Sequence, residues 1–515
     1  MQSSTPAVYS VAQVRELERQ AIADHRLPGI LLMARAGRAA FQTIKTHWPQ
    51  CRRLVVVCGT GNNGGDGWVV AQLAVAAGWQ VMTVLVGDEA RIKGEARLAL
   101  AAAKRDGVTV MASEACTAAT LGSVDVIVDA LIGIGLTGAP RPEHTAMIGM
   151  MNRAQLPVLS LDVPSGLNAD TGHAAGSAVV ATVTQTFIAL KGGLLTGQAR
   201  AYCGDIHCAT LGLPATLYQS ALQLDEDPAR FGSAHVLSLA SEKSDGLNAR
   251  SATAHKGTAG HLLVIGGADG LGGAGILAAE AGLRTGAGLV SLACHAHTVT
   301  AALARRPEIM AKSVATGGAL APLLAAADVV AIGPGLGQQA WGQACFRAAL
   351  DAGKPAVIDA DGLNLLAAYR HTESPPPVLP TNSVITPHPG EAARLLGVAT
   401  AQVEQDRFAA VRALVVRYRC TVVLKGAGTL IASFRGDGAD DIGICTAGNP
   451  GMASGGMGDV LTGVIAALMA QGTPADRAAS LGVCLHAEAA DIAAAAGQRG
   501  LLASDLLPII RRLID

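Results

Sequence analysis

The chain has 515 residues, half of them hydrophobic but only 3% aromatic, with 62 glycines. That length exceeds one typical domain, and a core of Ala, Val, Leu and Ile with glycine at turns and close packings suits layered α/β structure. A net charge of −1 with 15% charged residues excludes a basic field for nucleic acid and a polybasic patch for a membrane, so an anionic ligand has to be held by local backbone sites.

The ten cysteines form no C-x-x-C pair. Cys203 and Cys208 are the closest two, with no second pair to complete a zinc site, so the set reads as reduced thiols, mostly in the core. Residues 1–20 are polar and carry Arg15, Glu16 and Glu18, unlike a signal peptide. Residues 174–190 lack charge but are interrupted by Ser, Thr and Gln, which favours sheet and loop over a membrane span. A cytoplasmic location is expected.

In chain order, residues 11–23 show helical periodicity, with Val11, Val14, Leu17 and Ile22 near one face. A second helix is expected over 30–48. Residues 53–58 are a β-branched run typical of a buried strand. They lead into a glycine-rich stretch, 59–67, with a helix expected to start near Trp68. Strand, glycine turn, helix is the opening unit of a doubly wound nucleotide-binding sheet. Asn62, Asn63 and Asp66 make this turn more polar than a plain dinucleotide loop.

The alternation continues with a strand over 80–86 and a helix over 94–106. A strand over 124–129 ends in Asp129 and a second glycine loop. A strand over 156–161 ends in Asp162, followed by Val163, Pro164, Ser165 and Gly166. Each carboxylate alone reads as a helix cap. Three strand ends on one rim of a parallel sheet point instead to a ligand site. Asn63, Asp129 and Ser165 all offer oxygen, so a hard cation suits them. A strand over 182–190 ends in Lys191, placed either to neutralise an anion or simply in solvent.

The pattern breaks over 219–250, where Asp225, Glu226, Asp227 and Pro228 cluster, and a domain boundary is expected near 220–230. The second half restarts the alternation. His255, Lys256 and Gly257 precede a strand over 260–265, a glycine loop over 266–273 and a helix over 274–285. Further strands end in the glycine run 333–337, in Asp359 and Asp361, and in Pro387-His388-Pro389-Gly390-Glu391. The two prolines present His388 rigidly. A strand over 421–424 runs into Lys425-Gly426-Ala427-Gly428-Thr429, which is no Walker loop.

The last motif spans 448–463, with Gly455, Gly456, Gly458 and Asp459 just before an apolar helix over 460–470. A glycine-rich loop feeding a helix start is an anion site. Phosphate would repel Asp459 there unless the carboxylate acts as a base on a neighbouring hydroxyl. An N-cap Asp is the plain alternative.

Taken together and in order, these motifs resemble, over nearly the whole chain, the family of bifunctional NAD(P)H-hydrate repair enzymes. The resemblance implies an NAD(P)HX epimerase domain over 1–222, Rossmann-like with a three-layer α/β/α sheet. It implies an ADP- or ATP-dependent NAD(P)HX dehydratase domain over 228–515, ribokinase-like α/β. Met457 is bulkier than the Ala found in sugar kinases at that point. By the same resemblance, Asn62, Asn63, Gly64, Gly65 and Asp66, with Gly133, Ile134, Gly135, Leu136, Thr137, Gly138 and Ala139, hold the epimerase substrate. Asp162 handles protons, with Lys191 as helper, and Asn63, Asp129 and Ser165 hold K⁺.

In the dehydratase, Ala274, Gly335, His388 and Asp459 face the hydrated nicotinamide. Lys425, Gly426, Ala427, Gly428, Thr429 and Gly458 face the adenine nucleotide, ADP or ATP, whose phosphates carry Mg²⁺. Asp459 is the expected base. The expected partners are NADHX and NADPHX, the adenine nucleotide, and further copies of the chain in a homo-oligomer, a tetramer or larger; neither nucleic acid nor membrane is expected. The rival readings are a ribokinase-like small-molecule kinase with a nucleotide-binding N-terminal domain, and a nucleotide sensor without turnover.

Overall fold

A computed structural model describes residues 7–221, 234–246, 250–372, 378–380, 382–436, 438–439 and 441–515. These fall into two compact units, one within Ala7–Ser233 and one within Ala234–Asp515. Most of the expected boundary at 220–230 lies outside the described residues.

The first unit holds a seven-stranded sheet in the order Val110–Ala112, Gln80–Leu85, Arg53–Cys58, Val126–Ala130, Val158–Leu161, Val183–Phe187, Asp205–Ala209. Every pairing in it is parallel. Alternate residues of the strand Arg53–Cys58 enter different cores. Leu54, Val56 and Cys58 belong to one buried cluster, Val55 and Val57 to another. Both faces are thus covered, which is why the strand reads as continuously apolar rather than alternating. The strand order reverses beside Arg53–Cys58, so its C-terminal end and that of Val126–Ala130 open a crevice.

One expectation fails here. The helix begins at Asn62, not near Trp68, and runs to Ala76. The glycines of this stretch serve close packing rather than loop freedom. A Cβ on Gly64 would lie 2.0 Å from the Gly59 carbonyl oxygen, and one on Gly67 would lie 2.6 Å from Ala130 Cβ. The expected strand over 182–190 also divides. Val183–Phe187 stays in the sheet, Ile188 takes a positive φ of 67°, and Leu190–Lys191 forms a separate short strand parallel to Ala7–Tyr9.

In the second unit the strands run Met310–Ser313, Leu289–Cys294, His261–Ile265, Val329–Ile332, Ala356–Ile358, Val384–Ile385, Thr421–Leu424, Thr429–Ala432, Ile442–Cys445, Ala234–Leu237. They are parallel as far as Thr421–Leu424; Thr429–Ala432 is antiparallel to both its neighbours. Two helices, Gly272–Thr285 and Met457–Ala470, press together at glycine, since a Cβ on Gly463 would lie 2.1 Å from the Ala278 carbonyl oxygen. This contact fixes the start of Met457–Ala470, and with it Asp459.

Candidate active sites

In the first unit the crevice is a cavity of about 860 Å³. Thr60, Gly61, Asn62, Asn63 and Asp66 line it from the helix start, Leu131 to Ala139 from the next strand's loop, and Asp162 and Lys191 from beyond. Gly64 and Gly65 are not part of this lining. A Cβ on Gly65 would meet the Met33 side chain at 2.5 Å, so both glycines serve helix packing.

Asp129 is fully buried below the crevice. Its carboxylate accepts hydrogen bonds from Ser160 Oγ at 2.8 Å, Ser165 Oγ at 2.6 Å, Ser165 N at 2.9 Å and Leu131 N at 3.2 Å. Burial pushes its pKa up, and these bonds offset that only in part. Ser165 Oγ also accepts from Ile132 N at 2.8 Å, tying Asp129 to the cavity loop. Asn63 is buried, and among the described residues neither its amide oxygen nor its amide nitrogen has a partner. An unpaired buried amide is costly, so it marks a place for a ligand atom. An all-oxygen donor set of this kind fits a hard cation such as K⁺.

Asp162 has a left-handed backbone, φ 66°. Its carboxylate accepts from Lys191 Nζ at 2.5 Å. The fully buried Lys191 gives its other hydrogens to Thr186 Oγ1 at 2.8 Å and the Phe187 carbonyl at 2.7 Å. All three are therefore committed within the protein, and Lys191 acts on Asp162 rather than standing in solvent. Glu18, on the helix Val11–Ala23, also lines the cavity and escaped the sequence reading. It follows the buried Leu17 in an ordinary amphipathic pattern, which gives no sign that the helix docks on this rim.

In the second unit, Gly335, Asp359, His388 and Lys425 each follow the C-terminal end of one of several neighbouring parallel strands. Gly335 has φ 59°, and a Cβ on it would lie 2.3 Å from the Leu271 carbonyl and 3.2 Å from Ala274 Cβ. The structure thus brings Gly335 and Ala274 together. Lys425 Nζ donates to Asp359 Oδ1 at 2.6 Å, and Thr462 Oγ1 to Asp359 Oδ2 at 2.9 Å. Burial would raise the Asp359 pKa, but the Lys425 charge and hydrogen bonds from Lys425, Thr386 and Thr462 outweigh it and hold the group ionised. A Cβ on Gly458 would lie 3.2 Å from Asp359 Oδ2 and 3.3 Å from Lys425 Nζ, so the glycine loop rests directly on this ion pair.

Asp459 sits in the first turn of Met457–Ala470, where helix amides lack intrahelical partners. Its pKa is raised to about 6 by burial, then by the nearby Asp359 and Asp361 carboxylates, with Lys425 opposing. His388 caps the helix Pro389–Leu396, its Nδ1 accepting from Gly390 N at 3.0 Å and Glu391 N at 3.4 Å. Nδ1 is therefore the acceptor and Nε2 carries the proton. Thr429 Oγ1 donates to the Gly426 carbonyl at 3.0 Å, closing the turn that Lys425 opens.

Two supports escaped the sequence reading. Buried Arg407 donates to the Leu424 and Lys425 carbonyls, both at 3.1 Å, and braces that turn. Buried His486 has its pKa lowered to about 4 by burial and the Lys425 charge, and stays neutral. Neither lies in a recognisable motif. A separate cavity of about 1340 Å³ in this unit, bordered by Arg284 and Arg511, contains none of the site residues. Those arginines occupy last helical turns, where they neutralise terminal carbonyls.

Comparison with known proteins adds to this geometry. Residues 262–512 match the family model described as NAD(P)H-hydrate dehydratase, and residues 30–193 match that of the YjeF-related protein N-terminus. The chain is 43% identical to the bifunctional NAD(P)H-hydrate repair enzyme Nnr of Coxiella burnetii, covering 99% of both chains. It is also 43% identical to the protein of that name in Escherichia coli, over 99% of this chain and 94% of that one. A ribokinase-like superfamily protein of known structure from Enterococcus faecalis aligns at 28% identity over 54% of this chain and 94% of its own, with a TM-score of 0.49.

Proposed function

The chain belongs to the family of bifunctional NAD(P)H-hydrate repair enzymes, and on that premise we propose how its two sites divide the work. It is an NAD(P)HX epimerase and an ADP/ATP-dependent NAD(P)HX dehydratase. The substrate is NADH or NADPH hydrated across C5–C6, with the hydroxyl on C6 next to the ring nitrogen.

In the second unit Asp459 takes the C6 hydroxyl proton while that oxygen attacks the terminal phosphorus of ADP or ATP, releasing AMP or ADP. The C6–O bond then breaks, the electron pair leaves with phosphate, the ring nitrogen lone pair fills in, and loss of a C5 proton restores the dihydropyridine. The observation that carries this reading is Asp459 in a helix's first turn, above the Lys425–Asp359 pair. The first-turn amides and Gly455–Gly458 steady the charge on the transferring group. Lys425 and the Gly426–Thr429 turn face the nucleotide, and Ala274, Gly335 and His388 face the nicotinamide. Mg²⁺, when bound, neutralises phosphate charge.

In the first unit Asp162, oriented by the hydrogen bond from Lys191, handles the proton when hydroxide leaves or returns at C6. Asn63, Asp129 and Ser165 would hold K⁺, which would supply a fixed positive charge there. The domains are 1–222 and 228–515. The working form is a cytoplasmic homo-oligomer, tetramer or larger, which light scattering checks. Among the described residues no helix is long and apolar enough to cross a membrane.

The test is to supply racemic NADHX with Mg²⁺ and ADP or ATP in turn, and to follow the return of NADH absorbance and free phosphate. Full recovery, faster than spontaneous epimerisation allows, is expected. A stall near half recovery would remove the epimerase, and a stable phosphorylated product would favour the kinase reading.

A further inference from the structure

Epimerisation at C6 is a two-faced reaction. Hydroxide leaves from one face of the ring and water returns to the other, so a proton is delivered on one side and removed on the other. Asp162 supplies one group only, and Lys191 has no hydrogen left to give.

Asp66 lines the same cavity from a different element, the second turn of the helix Asn62–Ala76. The sheet order puts one strand, Val126–Ala130, between the strand that feeds this helix and the strand that ends at Asp162. Two strand spacings are roughly 10 Å, enough to admit a six-membered ring between the two carboxyl groups. Gly133, in the same lining, lies against Asp162 and the Asp66 helix: a Cβ on it would meet Asn63 Cβ and Asp162 Oδ2, both at 3.2 Å. The Asp66 carboxyl makes no hydrogen bond or ion pair among the described residues.

We propose that Asp66 is the second acid–base residue of the epimerase site, acting on the ring face opposite Asp162. The proposal rests on the role given to Asp162 above. In one direction the Asp66 carboxyl gives its proton to the departing C6 oxygen, the C6–O bond breaks, and water forms. The ring nitrogen lone pair makes the N1=C6 iminium. A water then adds to the other face and yields its proton to Asp162. The pair ends with its single proton on Asp162, which is the form that serves the reverse direction.

The electrostatics agree. Burial raises the Asp66 pKa well above its usual value, helped by the Asp162 and Glu18 charges and opposed by Lys191. The titratable neighbours of Asp66 are Glu18, Asp162, Lys191 and Cys58, and Glu95 and Arg15 in turn act on Glu18. Burial thus favours the protonated form of Asp66, while Asp162 sits in a different environment, accepting a hydrogen bond from Lys191; two carboxyl groups in unlike environments suit the acid and base roles.

The test uses the full chain without nucleotide, so that the dehydratase is silent, and measures R-to-S exchange by chromatography from pH 5 to 9. For the native protein, exchange in both directions falls as pH rises through the raised pKa, because the pair loses its one proton. In ¹⁸O-labelled water each inversion places label on C6. Asp66→Asn lowers exchange roughly 10²–10⁴-fold and abolishes the high-pH fall, while nucleotide-dependent dehydration of the S form, at the other site, stays near native. Asp66→Glu recovers part of the rate together with the fall. If Asp66→Asn raises KM but keeps the native pH profile, Asp66 only binds substrate and the proposal is overturned. If Asp162→Asn retains full exchange, the role assigned to Asp162 fails instead.

Discussion

At the scale of single residues, the dehydratase site sets Asp459 against Asp359. Both are acids beside Lys425, yet of the two it is Asp359 that Lys425 hydrogen-bonds, and Asp459 is raised to about 6. A base works only when ionised, so nucleotide-dependent dehydration should lose kcat/KM as pH falls through about 6, tenfold per unit below it. Asp459→Asn should remove this activity by roughly 10²–10⁴-fold and leave R/S exchange untouched; equal loss of both activities would refute the two-site reading. Most of the proposed site residues were legible because each sits in a motif at a strand end. Glu18, Arg407 and His486 were not, since their importance comes from what packs against them, and local pattern carries no trace of that.

At the scale of elements, glycine was the feature most easily misread. Glycine-rich stretches look like loops because glycine is costly inside helices. In 62–67 that cost is accepted so that a helix can lie directly on its strand and on the turn before it. The same logic joins Gly463 to the Ala278 carbonyl. Two substitutions should therefore separate the units. Gly64→Ala, with a Cβ 2.0 Å from the Gly59 oxygen, should destabilise the first unit by about 1–3 kcal/mol or more and impair epimerisation only. Gly463→Ala should do the same to the second unit and dehydration only. Calorimetry with both assays decides; loss of both activities in either variant would contradict separate cores. The strands Leu289–Cys294, Thr429–Ala432 and Ile442–Cys445 went unread, because short apolar segments near glycine loops have no period long enough to mark them.

At the scale of the molecule, each unit has buried clusters of its own. Such units are expected to fold alone. Segments 1–222 and 228–515, produced separately, should each keep its own activity, and their mixture should restore all of a racemic NADHX sample. If neither segment folds alone, the division at 222–228 is misplaced. The alternation of strand and helix was enough to foresee two α/β halves. It was not enough to foresee the mixed edge of the second sheet, because antiparallel pairing at Thr429–Ala432 follows from the short turn 425–428 rather than from strand composition.

The left-handed backbone at Asp162 has a consequence for how that position can vary. An alanine there would add roughly 1–2 kcal/mol of conformational cost to whatever chemistry it removed, whereas asparagine accepts the same φ readily. Drift at this site is therefore funnelled toward Asn. Asn keeps the backbone but leaves the fully buried Lys191 without its carboxylate partner, a loss of about 3–5 kcal/mol, so a relative bearing Asn at this place should carry a neutral residue at the position of Lys191 as well.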